Sequence, residues 1–280
     1  MKKILFPTDF SENSLHAFGY ALQLAKKLGA EIITLHVYPE DVMPYSEYAP
    51  FLAQNYNIAE WGEFENYKSE VPKLKQLAEK HLATEVNLSH VLERGNVVEK
   101  ILEVEASENI DCIVMGTKGA TGLKAVFVGT VAEQVINRAS GMVLAIPASA
   151  SLPAVVNLLL LVKYEKPYLK ILRQLLPFAE ALKAHIDVLQ IKDAPDRSES
   201  RIIKEWSEEF AGADISFHMF ATNAVEEMAL DFADSHHNNL IALAVHEKNF
   251  FEKLFFFSLS RQLAFHATVP VMAIHAKKMG

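Results

Sequence analysis

Cysteine is almost missing from this chain: Cys112 stands alone among 280 residues. An intrachain disulfide is therefore impossible, and so is a cysteine-built metal cluster. Long apolar runs are missing too. A membrane-spanning helix needs roughly 20 such residues, and stretches such as 158–162 fall far short. There is no basic excess. The net charge is −8, the opposite of what a nucleic-acid-binding surface requires. The sequence contains no HExxH zinc site, no GxSxG nucleophile elbow, no GxGxxG dinucleotide fingerprint and no GK[ST] phosphate loop. Met1-Lys2-Lys3 opens like a secretory leader, but the apolar run ends at Pro7 and Asp9 follows. That is too short for a leader core, and the cytoplasm is the expected location.

What is present is a spaced set of glycines. Gly116, two residues, Gly119, nine residues, Gly129 and then Thr130 follow an apolar strand-like run at 110–115 and open a helix-like run at 131–139. A strand, a glycine-rich loop and a helix start together form a phosphate cradle. Glycine lets the backbone approach an anion and turn its N–H groups inward. The helix N-terminus adds unsatisfied donors and a partial positive charge. The competing reading is a long turn with a good helix start. Gly122 reads as a turn residue. Lys118 and Lys124 are either phosphate neighbours or solvated loop lysines.

This spacing resembles that of the universal stress protein family, in its ATP-binding branch. Lys3-Ile4-Leu5-Phe6-Pro7-Thr8-Asp9 is similar to the family's first strand and its end, Leu35-His36-Val37 to the end of its second, and Val143-Leu144-Ala145-Ile146-Pro147 to its closing strand. The likeness covers nearly all of residues 1–147. It implies that Asp9 meets the ribose or adenine, that the Val37 backbone reads the adenine edge, and that Pro7 and Thr8 shape the floor. It implies Met115 beside the adenine pocket, and phosphates held by Gly116, Gly119, Gly129 and the amides of Thr130 and Val131. It further implies ATP as the ligand, with Mg²⁺ or Mn²⁺ bridging phosphate oxygens.

The second half repeats the first. Residues 24–30 align with 178–184, an offset of 154, and 143–146 align with 271–274, an offset of 128. The difference, 26 residues, places an insertion in the first half within 38–67. Its aromatics (Tyr45, Tyr48, Phe51, Trp61 and Phe64) suit a loop and short helix on the domain edge, or a lid or partner contact. Two units are expected, at 1–149 and 154–280, linked near 148–153. Each is α/β: a doubly wound, mostly parallel sheet of five strands with helices on both faces. First-half strands fall at about 2–7, 31–37, 86–92, 110–116 and 142–147, with helices at about 12–28, 67–83, 97–108 and 130–139. Helix 12–28 places Leu15, Phe18, Leu22, Ala25 and Leu28 on one stripe. The resemblance implies strand order 3-2-1-4-5. Such a sheet binds ligands where the order reverses, between its first and fourth strands, where Pro7-Thr8-Asp9 and Gly116 both end.

The second half has lost the spacing. Asp9 becomes Lys163, Gly116 becomes Ala244, Gly119 becomes Glu247 and Gly129 becomes Phe257, with Ser258 in place of Thr130. Its site is expected to be degenerate, filled by the aromatics of 250–257, with Lys163 and Glu247 as a candidate ion pair. Cys112 reads as buried apolar filler. His16 and His36 read as satisfied surface histidines, and the adjacent His236 and His237 point to different sides of a helix.

Three functions remain open. One is an ATP-binding stress-response sensor or signalling module holding one nucleotide. Another is a slow ATPase or phosphoryl or nucleotidyl transferase. The third is a nucleotide-free interaction module. No evident base activates water, so hydrolysis is at most slow and no catalytic or protein-bound metal residue is assigned. The apolar closing strands, 142–146 and 269–274, are expected to pair within the chain as a pseudo-dimer. A homodimer through the remaining surface and a protein partner of unknown identity stay open; nucleic acid and membrane are not expected as partners.

Overall fold

The computed structural model describes residues 1–38, 49–117, 129–150, 156–192, 197–245 and 269–275, with side chains of 49–63, 197–199 and 226 not described. The first half runs β1 (Lys3–Pro7), α1 (Glu12–Leu28), β2 (Glu31–Tyr38), α2 (Ala49–Lys80), β3 (Leu88–Arg94), α3 (Val97–Ser107), β4 (Cys112–Gly116), α4 (Thr130–Arg138) and β5 (Met142–Ile146). The second half follows with β6 (Asn157–Leu161), α5 (Lys166–Leu182), β7 (His185–Lys192), α6 (Arg197–Glu209), β8 (Ile215–Ala221), α7 (Val225–Ser235), β9 (Leu240–Val245) and β10 (Val271–His275). The helix expected at 67–83 begins much earlier, at Ala49, so most of the insertion extends α2. Residues 39–48 lie outside the described residues.

The strands form one ten-stranded sheet, ordered β3-β2-β1-β4-β5-β10-β9-β6-β7-β8. Each half contributes the expected 3-2-1-4-5 order, parallel throughout. The halves meet where β5 and β10 pair antiparallel, Leu144 facing Met272, Val143 facing Ala273 and Ala145 facing Val271. Leu144 and Met272 are equivalent at the offset of 128. A strand pair centred on equivalent residues is the mark of a pseudo-twofold axis.

Burial explains the strand sequences. β5 and β9 are buried at every position and run Met-Val-Leu-Ala-Ile and Leu-Ile-Ala-Leu-Ala-Val, as strands covered on both faces require. The edge strands β3 and β8 are only partly buried and carry polar residues. On one face a continuous apolar cluster joins Phe6, Phe18 and Leu144 of the first half to Leu158, Leu172 and Met272 of the second. Cys112 is buried, as expected of filler, and burial pushes its thiol up to about 12. Such a thiol is inert at neutral pH.

α1 is specified locally. Ser11 caps it by accepting from the Ser14 N–H, Gly29 ends it with φ 61°, and Glu12 and Lys26-Lys27 complement its dipole. Its Leu15 and Leu28 are only partly buried, while Ala17, Phe18, Tyr20, Ala21, Leu22, Leu24 and Ala25 are buried. The buried surface is broader than one stripe because α1 packs on the sheet, on α2 and on α5 across the seam. Among the described residues no helix is long and apolar enough to cross a membrane.

Candidate nucleotide-binding site

A cavity of about 210 Å³ opens at the carboxyl ends of β1, β2 and β4. This is where the strand order reverses, the place where doubly wound sheets take ligands. Its wall is built from three chain segments.

The first segment leaves β1. The Thr8 N–H donates to the Leu35 carbonyl at 2.8 Å, extending the ladder one residue past Pro7. The chain then turns at Phe10, whose φ is 57°. Thr8 Oγ1 accepts from the Phe10 N–H at 3.0 Å and from Ser14 Oγ at 2.9 Å. Asp9 Oδ1 accepts from the Ser11 N–H at 3.1 Å and from Ser11 Oγ at 2.7 Å. Short-range bonds thus fix a buried Thr8 and leave the Asp9 carboxylate at the exposed rim. The left-handed Phe10 costs on the order of 1 kcal/mol. Its ring packs against His36 and Tyr67, with centroids 5.1 and 5.9 Å away, and offsets that strain.

The second segment leaves β4. Met115 is buried, Gly116 is partly exposed, and the Thr117 N–H donates to the Ile146 carbonyl at 3.0 Å. The Gly129 N–H returns to the Thr117 carbonyl at 2.6 Å, so the chain ends flanking 118–128 close on each other. Gly119, Gly122, Lys118 and Lys124 lie outside the described residues.

The third segment is the start of α4. Ser11 and Asn96 cap α1 and α3 with their side chains, but Gly129 caps α4 with none. The N–H groups of Thr130, Val131 and Ala132 have no carbonyl within their own helix to reach. All three residues line the cavity. Glu133, one residue further on, has its carboxyl pushed up by burial.

Nine of the ten residues expected from the sequence line this one cavity: Pro7, Thr8, Asp9, Val37, Met115, Gly116, Gly129, Thr130 and Val131. The tenth is Gly119. The structure adds Ser14, Leu35, Val97, Thr117 and Ala132. Leu35 was legible from its two-residue alternation with Val37, and Ser14 from its place in the first turn of α1. The signal for Val97 was weaker, an Asn before a helix start.

Asp9 is the one charged side chain on the described wall, and backbone N–H groups at the start of α4, with its dipole, add positive potential there. That arrangement suits an anion whose charge is neutralised by dipoles. Among the described residues no group of three His, Cys, Asp or Glu side chains can hold a metal.

The two histidines read as surface groups are structural. His16 Nε2 lies 2.8 Å from the Ala150 carbonyl and ties α1 to the segment after β5. His36 Nδ1 lies 2.8 Å from the Thr8 carbonyl.

The second half builds the same place differently. Val162 and Tyr168 replace the hydroxyl pair Thr8 and Ser14, and Lys163 is exposed where Asp9 stands. Tyr164, in the place of Phe10, is buried; its hydroxyl lies 3.1 Å from the Val188 carbonyl and 2.9 Å from the His218 carbonyl, with one hydrogen shared between them. Its N–H donates to Gln190 Oε1, and its ring packs edge-on against Trp206 at 5.4 Å. Glu247, Phe257, Ser258 and the aromatics of 250–257 lie outside the described residues.

A profile for the universal stress protein family matches residues 1–147 and 166–275. A universal stress protein of Methanocaldococcus jannaschii is 34% identical over 145 residues, which are 52% of this chain and 81% of that protein. A second from the same organism is 30% identical over 152 residues, 52% of this chain and 94% of that protein. The crystal structure of a universal stress protein from Archaeoglobus fulgidus superimposes with a TM-score of 0.73 at 20% identity, covering 98% of this chain and 96% of its own.

Proposed function

This chain belongs to the universal stress protein family, and from that premise we propose that it binds one ATP in its first half and acts as a stress-response sensor or signalling module. The observation that carries the reading is the convergence of nine expected residues on one cavity beside the uncapped start of α4. In this reading the chain divides into a nucleotide-binding unit, 1–149, and a unit with a degenerate site, 154–280. Asp9 and the Val37 backbone hold the nucleoside over a floor shaped by Pro7 and Thr8, with Met115 beside the adenine. The amides of Thr130 and Val131, with Gly116, Gly119 and Gly129, hold the phosphates, and Mg²⁺ or Mn²⁺ bridges their oxygens.

Sensing is favoured over turnover by the wall itself. Its one described carboxylate, Asp9, accepts two hydrogen bonds from Ser11 and lies at the rim. Hydrolysis should be far below the ~10 s⁻¹ typical of enzymes. The test is to purify the full chain, release any retained nucleotide and identify it, then titrate the emptied protein with ATP. Retention or saturable binding of ATP is expected. A chain that retains none and binds none at millimolar ATP would remove the reading and leave the interaction module.

A further inference from the structure

Thr8 is held to β2 from both sides of its peptide. Its N–H donates to the Leu35 carbonyl at 2.8 Å, which continues the sheet. Its carbonyl faces His36 Nδ1 at 2.8 Å, beyond the end of the β1 and β2 pairing. A carbonyl only accepts, so Nδ1 carries the hydrogen and His36 donates. His36 does not line the cavity; Leu35 and Val37 on either side of it do. It projects to the opposite face of β2, as strand alternation requires. There it is flanked by Phe10, with ring centroids 5.1 Å apart, and by Tyr67, nearly parallel at 6.0 Å. Phe10 is the left-handed residue that turns the chain toward α1. One imidazole therefore grips both the carbonyl before the turn and the ring at its apex.

The second half gives an internal comparison. Gln190 occupies the place of His36, and Tyr164 that of Phe10. The Gln190 amide oxygen accepts from the Tyr164 N–H, the atom that in the first half is satisfied by the Thr8 hydroxyl. Where the Thr hydroxyl is gone, replaced by Val162, the residue on β2's counterpart braces the turn instead. Both halves thus brace this turn from the second strand. Only the first does so in a way that leaves Thr8 and Asp9 facing the cavity.

We propose that His36 is the positioning residue of the nucleoside end of the site, acting through the Thr8 carbonyl and the Phe10 ring to set Thr8 and Asp9. The proposal rests on the ATP-binding reading above. It predicts that losing His36 weakens the grip on the nucleoside and leaves the grip on the phosphates intact, because the α4 amides belong to a different segment.

The test measures binding of ATP and of inorganic tripolyphosphate to the full chain by calorimetry, in wild type, His36→Ala and His36→Asn. Loss of one positioning hydrogen bond should weaken ATP by about three- to tenfold in His36→Ala. Tripolyphosphate affinity should be unchanged. His36→Asn, whose amide nitrogen is bonded to Cγ as Nδ1 is and can donate to the Thr8 carbonyl, should restore ATP affinity to within about twofold of wild type. If His36→Ala melts early, His36→Leu keeps the bulk, removes the donor and takes its place. Unchanged ATP affinity in the alanine or leucine variant overturns the proposal. So does an equal loss of tripolyphosphate, or an asparagine variant no better than alanine. A wild-type chain that binds no ATP overturns the underlying reading instead, and the two failures are told apart by that control.

Discussion

The turn after β1 and the turn after β6 occupy equivalent places in the two halves, and they differ in kind. The first is wired by polar side chains: Thr8, Asp9, Ser11 and Ser14 bond one another around an open cavity. The second is plugged: Val162 is buried, and Tyr164 reaches inward to two carbonyls and packs on Trp206. The strands on either side are equally apolar and equally buried. The difference teaches that the fold and the site are specified by separate residues. Sheet order needs only buried apolar strands and short crossovers, so both halves retain it. A site needs a handful of residues at the carboxyl ends of those strands, and their exchange leaves the sheet untouched.

The largest expected effect comes from making the first half copy the second. Asp9→Lys combined with Gly119→Glu places the second half's residues in the first. The carboxylate would repel phosphate, and a side chain would block backbone approach. ATP affinity should fall at least about 100-fold in a titration, equivalent to about 2.7 kcal/mol. The reverse change, Lys163→Asp, should create no second site, because Val162, Tyr164 and Tyr168 remain.

The seam tests whether the halves are truly equivalent where they meet. Leu144 and Met272 are both fully buried and face each other on the pseudo-twofold axis. Leu144→Asp and Met272→Asp each bury an uncompensated charge and should each cost about 3 kcal/mol or more in urea denaturation. Similar costs support the symmetry; a cost confined to one of them would break it.

The ends of α1 and α5 sharpen the comparison further. Gly29 and Lys183 hold equivalent places and both are left-handed, with φ of 61° and 56°. Nothing lies within 4 Å of a Cβ built on Gly29, so only backbone strain separates the two. Gly29→Ala should lower stability by about 1 kcal/mol, and Lys183→Gly should raise it by up to a similar amount, read as shifts in the melting curve.

The smallest effect is a pH dependence that belongs to one side of the seam. His275 bonds the Ile136 carbonyl across the halves at 2.7 Å, and Pro147 holds the equivalent place in the first half. Burial is the largest influence on His275 and depresses it below the usual 6.5, outweighing the Ile136 bond and Glu105. The folded chain then binds fewer protons than the unfolded one as pH falls below about 6.5. Its contribution is complete above that pH and is lost as pH falls toward the depressed value. His275→Gln should flatten part of the stability loss between neutral and mildly acid pH. His81 and His90, also depressed chiefly by burial, should supply a remainder.

Strand positions and the first-half helices other than α2 were legible because apolar periodicity and capping residues are local signals. β2, read as 31–37, spans Glu31–Tyr38, and α1, read as 12–28, spans Glu12–Leu28. The start of α2 was not legible: Pro44 and Pro50 and the aromatics around them read as loop, whereas the helix takes Pro50 into its first turn. The cavity residues were legible because the glycine spacing and the end of β1 are contiguous motifs. The role of His36 was not, since its bond to the Thr8 carbonyl joins positions 28 apart and exists only once β1 and β2 pair. The burial of Tyr164 was hidden for the same reason, as its partners come from β7, β8 and α6.

The claim that one half binds and the other does not is tested most directly by the stoichiometry of ATP binding to the nucleotide-free full chain, measured by calorimetry with Mg²⁺ present. The account predicts one site per chain, abolished by Asp9→Lys with Gly119→Glu and unaltered by Lys163→Asp. Two equivalent sites, or a single site that survives the first-half exchange, would contradict it.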